Sequence, residues 1–216
     1  MSRDNLPSHY VVKDYCPLVF RNLREKFGIS DGQYLDSLTK HQPTAWEAAG
    51  RSGAKFYQSF DRRFVIKTLM KEEVAQMHNL IKNYHPYVVE CHGQTLLPQY
   101  LGMYRITVEG NVAYVVVMRN IFGSSLTIHK KYDLKGSTVD RDASDKEREM
   151  IPPTLKDNDF TKEGVKIHIG PQARDQILVT LKSDIAVSAS TTGFQSFTQK
   201  PSLLRYYPDS LHTVRI

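Results

Sequence analysis

Residues Gly50 to Leu69, GRSGAKFYQSFDRRFVIKTL, decide the fold. Gly50 and Gly53 reach backbone angles closed to other residues and let main-chain amides approach an anion. Alternation follows: Phe56, Gln58 and Phe60 share one face of a strand, Asp61 and Arg62 supply turn chemistry, and Phe64, Ile66 and Thr68 continue on a second strand. Lys67 falls on the face opposite Ile66, beside Val65. In a nucleotide-dependent kinase such a hairpin covers the phosphates and a strand lysine pairs with their charge. A Gly-x-x-Gly turn and a solvated strand lysine make the same pattern, so this stretch alone leaves both readings open.

The chain has 216 residues, 40% apolar and 24% charged, which suits one domain of ordinary core size or most of a larger one. No apolar run is long enough to span a bilayer and no leader pattern opens the chain, so the expected location is the cytosolic side. Cys16 and Cys91 stand apart, without the spacing of a disulfide framework or a zinc site, and are read as packing residues. A formal net charge of +6 implies an anionic partner: nucleic acid, anionic lipid or a phosphorylated small molecule. The basic residues concentrate at Arg21 to Lys26, at Lys130, Lys131 and Lys135, and around Arg141. No RNP, zinc-finger or helix-turn-helix pattern supports nucleic acid.

From the N-terminus, a strand is expected at Tyr10 to Val12. A helix follows from Pro17 to Gly28, with Leu18, Phe20, Leu23 and Phe27 inward and Arg21, Asn22, Arg24 and Lys26 outward. A shorter helix runs from Ser30 to about Leu38, then a loop to Ser52 anchored by Trp46. Lys71 to Tyr84 reads as a core-facing helix ended by His85 and Pro86. Glu72 and Glu73 lie in its first turn within reach of Lys67, and capping is the favoured role for both. Two long strands between Gln99 and Arg119 turn at Gly110 and Asn111, and Val115 to Met118 reads as a buried central strand. Arg119 to Gly123 then leaves that strand as a hinge, and a further strand runs from Leu126 to Leu134. Asp140 to Phe160 is expected to be exposed, with a short helix near Asp145 to Met150. Pro171 opens a helix whose buried face is Ile177, Leu178, Leu181 and Ile185. From Ala186 the chain is rich in Ser and Thr without sustained periodicity, and poor order is expected.

The strings NLPSHY, DYCPLVFRNLREKFGI, DRRFVIKT, HPYVVECHGQTLLPQYLGMYR, KYDLKGSTV, ASDKE and TLKDNDF together resemble the phosphatidylinositol phosphate kinase family. They are most similar to its type II branch, which phosphorylates phosphatidylinositol 5-phosphate at the 4-position. The resemblance covers about residues 5 to 185. It implies an α+β fold, an antiparallel-sheet kinase N-lobe with flanking helices plus the first part of a C-lobe. Residues 1–119 would form the N-lobe, 120–123 the hinge and 124–185 the start of the C-lobe, with 186–216 a divergent tail. Lys67 matches the nucleotide-phosphate lysine, and Gly50, Arg51, Ser52, Gly53 and Ala54 the phosphate-covering loop. Arg119, Asn120, Ile121 and Phe122 match the purine-holding hinge. Met118 stands where close relatives often have threonine, which bears on the choice between ATP and GTP. Lys131 matches a lysine near the nucleotide, and Asp133 and Lys135 belong to a signature around the cleft. ATP, or GTP, with Mg²⁺ is the implied cofactor, and a phosphoinositide at an anionic membrane surface the implied partner.

The resemblance stops near Ile185. The family continues into an MDYSLL motif whose aspartate serves the lipid hydroxyl; counted without gaps, that position falls near Gln195. An amide cannot accept the hydroxyl proton or neutralise a metal ion as a carboxylate does. The later metal-binding aspartate and specificity loop have no counterpart, so no catalytic or metal-binding residue is assigned. The expectation is a truncated or alternatively spliced form that binds nucleotide weakly and transfers no phosphate. The alternative is a non-catalytic chain that binds membrane, or pairs as a homodimer or with full-length kinase. The implied location is cytoplasmic and peripheral at membranes, with the nucleus as a second location.

Overall fold

The computed structural model describes residues 9–46, 53–123, 127–164, 168–190 and 203–206. Its elements in order are β1 (Tyr10–Asp14), α1 (Pro17–Lys26), α2 (Asp31–Thr39), β2 (Thr44–Trp46), β3 (Phe56–Gln58), β4 (Phe64–Leu69), α3 (Lys71–Glu90), β5 (Tyr100–Val108), β6 (Asn111–Arg119), β7 (Lys130–Asp133), α4 (Asp145–Glu149), β8 (Thr154–Lys156), α5 (Asp157–Glu163), α6 (Gly170–Ser190) and β9 (Leu203–Tyr206). The chain divides into two units, one built on the described residues up to Gly123 together with Ala189 and Ser190, and the other on the described residues from Thr127 to Ser188 with 203–206.

The first unit is a six-stranded antiparallel sheet, ordered β1-β5-β6-β4-β3-β2, with α1, α2 and α3. One apolar cluster joins Phe20 and Leu23 of α1, Tyr34 of α2, Phe64 of β4, Met77, Leu80 and Tyr84 of α3, and Leu101 and Met103 of β5. Each fully buried side chain of this kind contributes about 1.5–3 kcal/mol. The helices are amphipathic as expected, with two exchanges on α1. Leu18 is 78% exposed, whereas Arg24 is buried. Arg24 is inward because its charge is met there: Nη1 donates to the Leu101 carbonyl at 2.8 Å and Nη2 pairs with Asp31 at 2.9 Å.

Four further expectations are corrected. The segment after α2 is not all loop, since Thr44–Trp46 pairs with β3 as a strand. The turn between β5 and β6 consists of Glu109 and Gly110, both at positive φ, and Asn111 already pairs with Val108. Phe60 lies in the turn beyond β3, its ring against His41. Helix α3 does not end before Pro86 but continues to Glu90. Pro86 removes the N–H that would reach the Lys82 carbonyl, a cost of about 3 kcal/mol in a helix interior. Burial of Tyr84 and Val88 on either side, with the His85 ring bonded to Asn22 of α1 at 2.9 Å, favours continuation.

In the second unit β7 lies between β8, parallel, and β9, antiparallel. Tyr132, Ala143 and Leu155 form its buried cluster, with Leu134 and Phe160 packed against it. The Asp140 to Phe160 segment is therefore not simply exposed: Arg141, Ala143, Leu155 and Asp159 are buried. The expected buried face of α6 is not observed. Ile177 and Leu181 are half-buried, Leu178 and Ile185 are exposed, and Asp184 is buried instead. No apolar layer among the described residues covers Leu178 and Ile185, so periodicity alone could not set that face. Within the stretch expected to be poorly ordered, residues 186–190 complete α6 and 203–206 form β9.

Candidate functional site

Lys67 lies in β4, paired with Phe56 of β3 on one side and Val116 of β6 on the other. It is 3% exposed, and Nζ stands 3.5 Å from Oε1 of Glu73, itself largely buried. Glu73 is the third residue of α3, and its other oxygen accepts the Met70 N–H at 2.6 Å. The carboxylate thus caps the helix and meets the lysine at once, where the sequence favoured capping alone. A strand lysine followed six residues later by a first-turn glutamate was the available signal.

The chain enters this hairpin at Gly53, whose φ of +67° is a left-handed conformation that favours glycine. Beyond it, past Ala54, the Lys55 N–H donates to Thr68 Oγ1 and the Thr68 N–H to the Lys55 carbonyl, both at 2.9 Å, fastening the segment to β4. Gly50, Arg51 and Ser52 lie outside the described residues, as does Gln195.

Arg119 to Phe122 leave β6 beside the start of β4, where Phe64 pairs with Arg119. Lys67 is three residues along the same strand, roughly 10 Å away. Arg119 donates its N–H to the Gln99 carbonyl and its Nη2 to the Phe27 carbonyl at 2.7 Å, at the C-terminal end of α1. The guanidinium is thereby committed to a helix end, where the dipole favours a cation. Asn120 is buried, and Phe122 donates its N–H to Asn120 Oδ1 at 2.9 Å. Ile121 is half-buried, and its N–H takes no hydrogen bond among the described residues. Met118, just before, packs on the apolar core.

Lys131, Asp133 and Lys135 belong to the second unit. Lys131 is half-buried, and burial pushes its ammonium below the usual lysine range. Asp133 Oδ2 lies 3.1 Å from Lys135 Nζ and 3.5 Å from Arg141 Nη2. Arg141 also donates to the Asp133 carbonyl, and its Nε donates to Asp157 Oδ2 at 2.7 Å. Asp157 Oδ1 accepts the N–H groups of Lys135 and Gly136 at 2.8 and 2.9 Å. Burial alone would raise the Asp157 carboxyl, but the Arg141 guanidinium and these amides outweigh it and hold the group below the usual range. Sequence reading missed this role of Arg141 and Asp157, sixteen residues apart with no periodic relation.

Among the described residues no group of three or more His, Cys, Asp or Glu could hold a metal ion, and no helix is long and apolar enough to cross a membrane. The first unit brings together a buried lysine–carboxylate pair, a glycine-entered hairpin and an exit segment whose Ile121 N–H has no partner among the described residues. It offers a cation on the strand and main-chain donors where the chain leaves the sheet.

Residues 37–192 match the family model described as phosphatidylinositol-4-phosphate 5-kinase. The chain is 55% identical over 184 residues to human phosphatidylinositol 5-phosphate 4-kinase type-2 beta, covering 85% of this chain and 44% of that protein. It is 54% identical over 184 residues to the chicken type-2 alpha protein, covering 85% of this chain and 45% of the relative. The chain thus spans less than half the length of these relatives.

Proposed function

The chain belongs to the phosphatidylinositol-4-phosphate 5-kinase family of phosphatidylinositol phosphate kinases, and from that premise we propose that it is the nucleotide-holding part of a lipid kinase. The whole protein would transfer the terminal phosphate of ATP to the 4-hydroxyl of phosphatidylinositol 5-phosphate, giving phosphatidylinositol 4,5-bisphosphate. That substrate is suggested by the names of the 55% identical relatives. The single observation that carries the nucleotide reading is the buried Lys67–Glu73 pair on the strand next to the hinge. Phosphoryl transfer depends on positioning and charge neutralisation, so a lysine held in one place by a carboxylate is the element expected there.

When bound, the nucleotide with Mg²⁺ supplies the phosphoryl group. Lys67 would hold its phosphates, Gly53 and Ala54 would bring main chain over them, and Ile121 would face the base. The resemblance to the family suggests Lys131 as a further residue near the nucleotide, with Asp133 and Lys135 in the family's signature. With Gln195 where the family's aspartate is counted, these 216 residues alone would bind nucleotide and transfer no phosphate. Nucleotide-dependent thermal shift on the native chain and on Lys67→Ala tests the reading. A shift of several degrees with ATP should vanish in the variant; equal shifts would overturn Lys67 as a phosphate ligand. Mg²⁺-dependent phosphorylation of phosphatidylinositol 5-phosphate by the 216-residue chain would overturn its inactivity.

A second reading, a non-catalytic chain that pairs with itself or with full-length kinase, is favoured by β1. It is the terminal strand of its sheet, and Tyr10, Val11 and Val12 are all more than half exposed. An apolar edge strand is a template for another strand. Sedimentation equilibrium of the native chain and of Val11→Lys distinguishes the readings, since pairing through β1 requires the variant to shift toward monomer. The net charge of +6 supports peripheral attachment to anionic membrane from the cytoplasm, to be measured by vesicle co-sedimentation.

A further inference from the structure

The exit segment after β6 is held by more than the sheet. Asn120, 8% exposed, donates Nδ2–H to the Arg62 carbonyl at 2.8 Å, its own N–H donates to the Arg63 carbonyl at 2.8 Å, and its Oδ1 accepts the Phe122 N–H at 2.9 Å. The side chain thus spans two places, the turn between β3 and β4 and the residue two positions on. That turn is itself fixed. Asp61 Oδ1 accepts from Ser37 Oγ of α2 at 2.6 Å, from Ser59 Oγ at 2.7 Å and from the Arg63 N–H at 3.2 Å. Ser59 Oγ accepts the Phe64 N–H at 3.0 Å, and Arg62 takes a φ of +58°.

We propose that Asn120 is a positioning residue: its carboxamide clamps the Arg119–Phe122 segment to the β3–β4 turn, so that the Ile121 main chain is presented to the purine in a preset orientation. This rests on the nucleotide-binding reading above. The chemistry requires an amide. One end must donate to a carbonyl and the other accept from an N–H, which a carboxylate or a methyl group cannot do together. Three of the four N–H groups from Arg119 to Phe122 are consumed by the arrangement: Arg119 by Gln99, Asn120 by Arg63, and Phe122 by Asn120. Ile121 has the remaining N–H. The same bonds tie the base end of the site to the hairpin whose second strand bears Lys67, and through Asp61 to α2.

The test compares the native chain with Asn120→Ala and Asn120→Asp. Calorimetry measures binding of ATP and of inorganic tripolyphosphate, which has phosphates and no base, while amide hydrogen exchange follows Phe122 and, as a core reference, Val116. Asn120→Ala should weaken ATP about tenfold, as expected for two lost hydrogen bonds, and leave tripolyphosphate unchanged. Its Phe122 amide should exchange at least tenfold faster with Val116 unaltered. Asn120→Asp keeps the acceptor for Phe122 and loses the donor to Arg62, so Phe122 should stay protected while ATP binding still weakens. It also serves if the alanine variant does not fold. Unchanged ATP affinity in both variants, or equal losses of ATP and tripolyphosphate, would overturn the proposal. If the native chain binds no ATP, the functional reading falls, and the clamp is then decided by exchange alone: unaltered Phe122 protection in Asn120→Ala overturns it.

Discussion

Glu73 performs two tasks with two oxygens, and substitution can separate them. Gln at this position still offers an oxygen to the Met70 N–H but takes the Glu73 charge away from the buried Lys67 ammonium. Removing one member of a buried pair costs about 3 kcal/mol, because the remaining charge stays out of water. Glu73→Gln should therefore lower stability by about that amount, and Glu73→Ala by about 1 kcal/mol more for the lost cap. In the double variant Lys67→Met with Glu73→Gln both charges of this pair are gone, and most of the stability should return. Denaturant unfolding of the native protein, of the single variants Lys67→Met and Glu73→Gln, and of the double variant measures the coupling. Additive losses in the double variant would mean that the 3.5 Å pair is not coupled in solution. Where the lysine sits was legible, since alternation placed Lys67 on β4; the partner was not, because capping and pairing predict the same residue in the same turn.

At the scale of elements, the hairpin, α1, α2 and both long strands were readable because each has its own period and end signals. The errors lie where tertiary contacts overrode a local rule. Thr44–Trp46 became a strand because β3 offered an edge, and α3 passed through Pro86 because Tyr84 and Val88 are both fully buried. The proline supplies a test. If burial carries the helix past it, Pro86→Ala should restore a backbone hydrogen bond at little cost elsewhere and stabilise the first unit by about 1 kcal/mol, after allowing for the more flexible unfolded chain. Thermal melting measures this. A lower melting temperature would mean that Pro86 itself is needed to seat Val88.

Across the whole molecule, the two units draw on different forces. Among the described residues the first holds eighteen buried apolar side chains in one cluster and the second holds three. What the second has instead is charge: Arg141 with Asp133 and Asp157, Arg148 with Asp159, and Lys156 with Glu147 at 2.6 Å. This explains why it was the less legible half, for ion-pair partners follow no period. It also sets an acid response. Burial would raise the Glu147 carboxyl, but the bonds from Lys156 and Ser144 overcome this and bring it from 4.5 to about 2; Asp157 and Asp159 are likewise lowered against the effect of burial. Folded-state values below the unfolded ones mean stability that is full above about pH 5 and is lost as pH falls through the folded values. Hydrogen exchange at stepped pH should show peptides from 130–163 losing protection between about pH 4.5 and pH 2, while those from β5 and β6 hold. Glu147→Gln should remove part of that pH dependence by removing a carboxylate whose proton the unfolded chain binds more tightly. Equal loss of protection in both units would mean that the small core and its ion pairs do not unfold separately from the large one.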